Sequence, residues 1–277
     1  MFIDTHCHLD LIIENDHTSK NSPKNIEKIQ AILDESCEYR VTSVITIGTN
    51  IDSSKLSVQF ANLFPSVYAT IGVHPCDTQN PLKSEINALQ KIITQDTSKK
   101  IVGIGEIGLD FYHPGFDVSI QNEFFRAQIE LAISQNLPIS IHSRNAFKET
   151  IAILDEYKAS NLTGVFHCFS EDKNAAKNVI DRGFLIGVDG HISYPKNQYL
   201  RDAIAYAGIE NILLETDAPF LAPQKIRGSK NHPKNIALIA DFIQKEIFPS
   251  ASPQTLAKQI TDNTAQLFPL EPHIKNQ

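Results

Sequence analysis

The chain has 277 residues, with 25 Lys and Arg against 32 Asp and Glu, for a formal net charge of −7. Hydrophobic residues make up 42%, enough for one large core or two small ones, and no uncharged apolar stretch approaches the roughly 18 residues of a membrane span. The acidic balance argues against a broad phosphate-tracking surface, because nonspecific nucleic-acid affinity comes from neutralising phosphates.

The N-terminal MFIDTHCHLD has an early acid and no basic region, unlike a secretory signal. Short Val/Ile-rich runs then recur: FIDTH (2–6), VTSVITIG (41–48), VYATIG (67–72), KIVGIGEIG (100–108), PISIHS (138–143), GVFHCF (164–169), FLIGVDG (184–190) and NILLETD (211–217). Several are apolar almost throughout, as strands covered on both faces should be. Polar, turn-rich residues 12–25 predict a long loop after the first strand. Asn50, Asp52 and Ser53 offer caps for the helix after the second. Within 117–136, Ile120, Phe124, Ala127, Leu131 and Ile133 form a helical stripe, which Pro138 stops. About eight such strand–helix beats predict a single-domain α/β fold, a (β/α)8 TIM barrel over residues 1–268, with 269–277 as a loose tail.

Cys7, Cys37, Cys76 and Cys168 are far apart and form no CxxC pair, which predicts reduced thiols and a cytoplasmic location. Cys7 and Cys168 adjoin histidines that carry the argument below. As strand neighbours of inward residues, they are expected to point outward and pack.

The informative pattern is where metal-type residues fall. His6 and His8 are two apart at the end of the first run, so period-two geometry sends both to one face, and Asp4 with them. Glu106, His142, His167 and Asp217 close the fourth, fifth, sixth and eighth runs. In a barrel of this type the C-terminal strand ends form the active-site face. A lone strand histidine is more often structural than a ligand. Four imidazoles and two carboxylates on one mouth are instead a ligand set for two divalent ions, with a carboxylate available to bridge.

The stretches IDTHCHLD (3–10), IGTN (47–50), IGVHP (71–75), GEIGLDFY (105–112), NLPISIHSRNA (136–146), FHCFS (166–170), LLETDAPFLAP (213–223) and RGSKNHP (227–233) occur in this order. Together they resemble the TatD-type metal-dependent hydrolases, deoxyribonuclease-like enzymes among the amidohydrolase-like barrels. The resemblance covers nearly the whole chain. It implies that His6, His8 and Glu106 bind one divalent ion (Zn, Mg or Mn) with Asp217 completing that site. Glu106 then bridges to a second ion held by His142 and His167. It further implies hydrolysis of phosphodiester bonds in single-stranded or short DNA, 3′–5′ exonuclease-like, by water that two metals activate. Two features depart from the family pattern: Glu171-Asp172 stand where a Gly is usual, and His232 where an acid is common.

In this chemistry Asp217 is the candidate to orient the water and accept its proton, with Glu106 between the ions. His74 is expected to donate to a phosphoryl oxygen or leaving group rather than to ligate. Between Ala218 and Ala240 there is no acid, while Lys225, Arg227, Lys230 and Lys234 all occur. Arg227, Lys230 and Arg144 are the expected phosphate contacts, and Lys234 is expected to be solvated. Phe111 and Tyr112 offer a weak base-stacking signal. A monomer without an obligate protein partner or membrane contact is expected. A small-molecule amidohydrolase or deacylase is the alternative, although Glu106 occupies the place where many such barrels carry a modified Lys. A HxHxH phosphatase is disfavoured by Asp10. A metal-stabilised, non-catalytic scaffold is disfavoured by the completeness of the ligand set.

Overall fold

Eight strands pair in parallel, each with the next in chain order. They are β1 (Phe2–Cys7), β2 (Val41–Ile47), β3 (Val67–Ile71), β4 (Ile101–Asp110), β5 (Ile139–Arg144), β6 (Gly164–Phe166), β7 (Leu185–Val188) and β8 (Ile212–Leu214). The computed structural model describes residues 1–13, 22–115 and 117–270. The sheet curls until its edges meet: Cys7 bridges Ala218 in parallel, and His8 N–H donates to Ala218 O at 2.8 Å. Asp4 fastens the same junction, accepting from Thr216 N at 2.9 Å and Thr216 Oγ1 at 2.6 Å. Closure removes the exposed edges that an open sheet would present. The fold is the expected TIM barrel, with a helix after each strand from Pro23–Glu38 to Pro253–Leu267.

Two apolar clusters hold it. The larger lies between strands and helices. The smaller joins the strand residues Ile45, Ile47, Tyr68, Val102, Val165 and Leu213 with Phe268, which follows the last helix, and fills the barrel's interior.

Several local expectations need correction. The helix after β4 is Val118–Gln135, but Ile120 and Ile133 are exposed; its buried face runs through Gln121, Phe124, Phe125, Gln128, Ile129 and Ala132. The two glutamines are buried because they satisfy strand-end backbone. Gln128 accepts from Val73 N at 2.7 Å and donates to Val73 O at 3.0 Å. Gln121 accepts from Asp110 N at 2.9 Å and donates to Asp110 O at 3.0 Å. The helix ends on Asn136, which takes the left-handed conformation at φ 53°, two residues before Pro138. Asn50 caps Ile51–Leu63 in a capping box with Ser53, as expected. The loop expected at 12–25 is shorter, since Ser22 caps a helix that Pro23 begins. Residues 14–21 of that loop and 271–277 of the expected tail lie outside the described residues.

β4 also runs past its expected end, so Glu106 sits within the strand rather than closing it. The ladder shifts register between Ile104 and Ile107, and Gly108 adopts φ +142°, where an added Cβ would lie 1.9 Å from His142 O. Only glycine allows β4 so close to β5. β6 and β8 end earlier than expected, leaving His167 and Asp217 on the segments just beyond. Among the described residues, no helix is long and apolar enough to cross a membrane.

Candidate metal centre

His6 lies near the end of β1, and His8 just beyond it, where the chain turns into the short helix Leu9–Ile12. Across the closed junction, Asp217 N–H donates to His6 O at 2.9 Å, bringing the two chain ends together. Asp217 itself has φ 53°, a conformation that short polar side chains tolerate best.

Glu106 organises the mouth through its two oxygens. Oε2 lies 3.5 Å from His6 Nε2 and 3.9 Å from His8 Nε2. Asp217 Oδ1 lies 3.8 Å and 3.4 Å from the same two nitrogens. Donors about 2.1 Å from one tetrahedral ion stand about 3.4 Å apart, so these imidazole–carboxylate separations approach ligand spacing and are too long for good hydrogen bonds, and His6, His8 and Glu106 group as donors that could hold one ion. His6 Nε2 is buried without a hydrogen-bond partner, which fits a cation between these groups. The opposite oxygen, Glu106 Oε1, lies 2.8 Å from both His142 Nδ1 and His167 Nε2.

The six expected ligand side chains therefore meet in one buried cluster, although Asp4 does not join it. His6 stacks on His167 with ring centroids 3.9 Å apart. His74 is nearer than expected: its Nε2 is 3.5 Å from Glu106 Oε1, within ligand reach of Glu106 and His142. Its Nδ1 accepts from Cys76 N at 3.1 Å, leaving Nε2 as the nitrogen that carries a proton.

The electrostatics follow from burial and pairing. Burial acts to raise the Glu106 carboxyl, but the charges of His167 and His74 and hydrogen bonds from His142 and His167 hold it well below its ordinary value. Burial acts to lower His167, and Glu106 reverses this to push it well above the ordinary imidazole value. His142 is raised against burial by hydrogen bonds to Asp110 and Glu106. His6 is lowered, first by burial and then by His167, the direction that favours the neutral ring a metal ion requires.

Sequence reasoning missed two supporting carboxylates. Asp110 Oδ2 faces His142 Nε2 and also lies 2.8 Å from His113 Nδ1. Glu215, fully buried, lies 3.7 Å from His167 Nδ1 and accepts from Cys168 N. Gly187 makes room for it, since a Cβ there would lie 2.6 Å from the Glu215 carboxylate. For Asp110 period two carries a signal, since it lies four after Glu106 in the same strand; Glu215 lies beyond β8, where strand alternation gives none.

Around the mouth, Arg144 lies over the Tyr112 ring at 3.9 Å and Arg227 over Tyr194 at 4.5 Å. Tyr112, expected as a stacking platform, thus carries a guanidinium. Lys230 Nζ donates to Ile12 O at 3.3 Å. Lys234 pairs with Glu35 at 2.6 Å and is structural rather than merely solvated. Asp172 caps the helix Lys173–Ile180 by accepting from Asn174 N and Ala175 N, which gives half of the unusual Glu171-Asp172 pair a local role. The four cysteines are free. Cys7 packs as expected, fully buried; Cys168 does not point into the helix layer but groups with Asp189 and His191.

The TatD related DNase family profile matches residues 3–269. An uncharacterized metal-dependent hydrolase of Buchnera aphidicola is 31% identical over 275 residues, covering 99% of this chain and 98% of that protein. A Salmonella typhimurium protein named 3′-5′ ssDNA/RNA exonuclease TatD is 30% identical over 233 residues, covering 82% and 88%. The crystal structure of the TatD homolog YJJV from Escherichia coli superposes with a TM-score of 0.86 at 27% identity, covering 98% of each chain.

Proposed function

The chain belongs to the TatD related DNase family, and from that premise we propose that it is a metal-dependent phosphodiesterase that trims single-stranded DNA from a 3′ end. The observation that carries this reading is the division of Glu106, with one oxygen toward His6 and His8 and the other toward His142 and His167. His6, His8, Asp217 and Glu106 would hold one divalent ion, and Glu106, His142 and His167 a second. The chemistry supplied at such a pair of sites is Lewis-acid polarisation of a phosphoryl oxygen and acidification of water.

The chain's own groups do the rest. Asp217, at the rim of the cluster, orients the attacking water and takes its proton at a carboxylate oxygen. His74 offers its Nε2 proton to a phosphoryl or leaving oxygen, fixed in that tautomer by the Cys76 backbone. Arg144 and Arg227 are poised for phosphate contact by their aromatic supports, and Lys230 adds a point charge. A net charge of −7 suits a short footprint rather than processive tracking.

The test is hydrolysis of an end-labelled single strand by chelated protein to which Mg, Mn or Zn is restored. Recovery in the wild type but not in Glu106→Gln is expected, with bound metal falling in the variant. Turnover of amides or lactones with none on any phosphodiester would overturn the substrate class. Full metal content in Glu106→Gln would overturn the site.

A further inference from the structure

Beside the candidate centre, the ends of β6 and β7 bring together three donors that the proposed function leaves unused. Cys168 Sγ, a carboxylate oxygen of Asp189 and a ring nitrogen of His191 all lie within 4.8 Å of one another. Asp189 is fully buried, and His191 is 7% exposed. Asp189 Oδ1 is committed locally, contacting His191 Nδ1 and accepting from His191 N at 2.8 Å. That leaves Asp189 Oδ2 and His191 Nε2 buried with no hydrogen-bond partner. Two orphaned buried polar atoms are costly unless something satisfies them. The backbone is also held unusually there, with Cys168 at φ 47°, a region a residue like cysteine seldom occupies.

We propose that Cys168, Asp189 and His191 form a third cation site, selective for a zinc-class divalent ion and separate from the cluster around Glu106. The donor set decides the class. Sulfur with imidazole and one carboxylate suits zinc, whereas magnesium and manganese favour oxygen. Charge also closes, since a thiolate, a carboxylate and a neutral imidazole balance one divalent ion. Occupation exchanges the Cys168 thiol proton for the ion and releases that proton to solvent. Three protein donors leave one coordination position open.

The site is roofed by the loops that follow β7 and β8. Gly190 packs so closely that an added Cβ would lie 2.1 Å from Leu221 O. Tyr194 Oη donates to Ala222 O at 3.0 Å, and the Arg227 guanidinium rests on the Tyr194 ring. An ion at Asp189 and His191 therefore anchors the loop that supports Arg227, linking this site to the substrate side of the mouth. The inference does not depend on the hydrolase reading, because it uses none of the same ligands.

Cobalt(II) loading of the metal-stripped full-length chain tests it. A sulfur-to-cobalt charge-transfer band is expected in the near ultraviolet, because a histidine–carboxylate centre has no thiolate to produce it. The band should persist in a His6→Ala, His8→Ala double variant and in Cys76→Ser, and vanish in Cys168→Ser with loss of about one bound equivalent. Absence of the band in wild-type protein, or its survival in Cys168→Ser, would overturn the proposal. Should Cys168→Ser fail to fold, His191→Gln decides: a weakened, shifted band is expected, and an unchanged one overturns the site. Failure of the wild-type chain to bind ions at the Glu106 cluster, with the thiolate band intact, would count against the proposed function alone.

Discussion

Asp110 Oδ2 lies 2.9 Å from His142 Nε2, on the far side of the ring from the Nδ1 that faces Glu106. A carboxylate in that position sets the ring's orientation and raises its basicity toward a metal. Asp110→Asn is therefore expected to weaken metal affinity and turnover about 10- to 100-fold with little change in fold. Competition with a chromophoric chelator measures the affinity; a value equal to wild type would remove Asp110 from the site's support.

Protons and metal compete for the same imidazoles. His142 is raised by its hydrogen bonds to Asp110 and Glu106, and His167 by Glu106, both against burial. In metal-free protein these protonated rings contribute stability that is complete below the ordinary imidazole value. That stability is lost as pH rises through the raised values. Metal binding has the opposite sign, because it must expel those protons. Affinity should fall with acidification by about one order of magnitude per pH unit for each proton released. Calorimetric metal titrations across the neutral range in two buffers of different ionisation enthalpy give the proton count. A count of zero would contradict this account of the cluster.

Gln128→Leu should unfold more easily. The substitution keeps an apolar-compatible volume but leaves Val73 N–H and C=O without their partner, costing roughly 2–4 kcal/mol. Urea denaturation should show the midpoint lowered with an unchanged slope. Ile133→Ala, at an exposed position of the same helix, should change stability by less than about 0.5 kcal/mol.

Arg227→Ala should raise KM for a single-stranded substrate by about tenfold, the value of one charge-assisted contact. Because the side chain lies on Tyr194 rather than in the Glu106 cluster, metal content should not change. The dependence of binding on salt should become shallower as one phosphate contact is lost. An unaltered salt slope would place Arg227 outside the substrate path.

The barrel and the meeting of six ligand-type side chains were legible because both are periodic. Apolar runs mark the strands, and imidazoles and carboxylates fall where the strands reach the mouth. What escaped depends on partners distant in the chain. Gln121 and Gln128 lie outside the expected apolar stripe, yet they are buried to satisfy strand-end backbone at Asp110 and Val73. Ile120 and Ile133 fit a helical stripe but fall outside the arc that the barrel covers. Asp110 shares the parity of Glu106 within β4, whereas Glu215 lies past the end of β8, where parity carries no information. Strand alternation predicts an outward Cys168, but β6 ends at Phe166, so alternation no longer applies two residues later.

The closing of β1 against β8 also sets when the first candidate site can exist. Asp4 and Thr216 are 212 residues apart in the chain, and His6, His8 and Asp217 stand on the two sides of that junction. During synthesis the histidines of β1 emerge first and wait for the intervening strands and helices before the carboxylate beyond β8 arrives. A nascent or prematurely truncated chain thus lacks the complete ligand set. On the proposed assignment, the site is complete only once the ring of strands has closed.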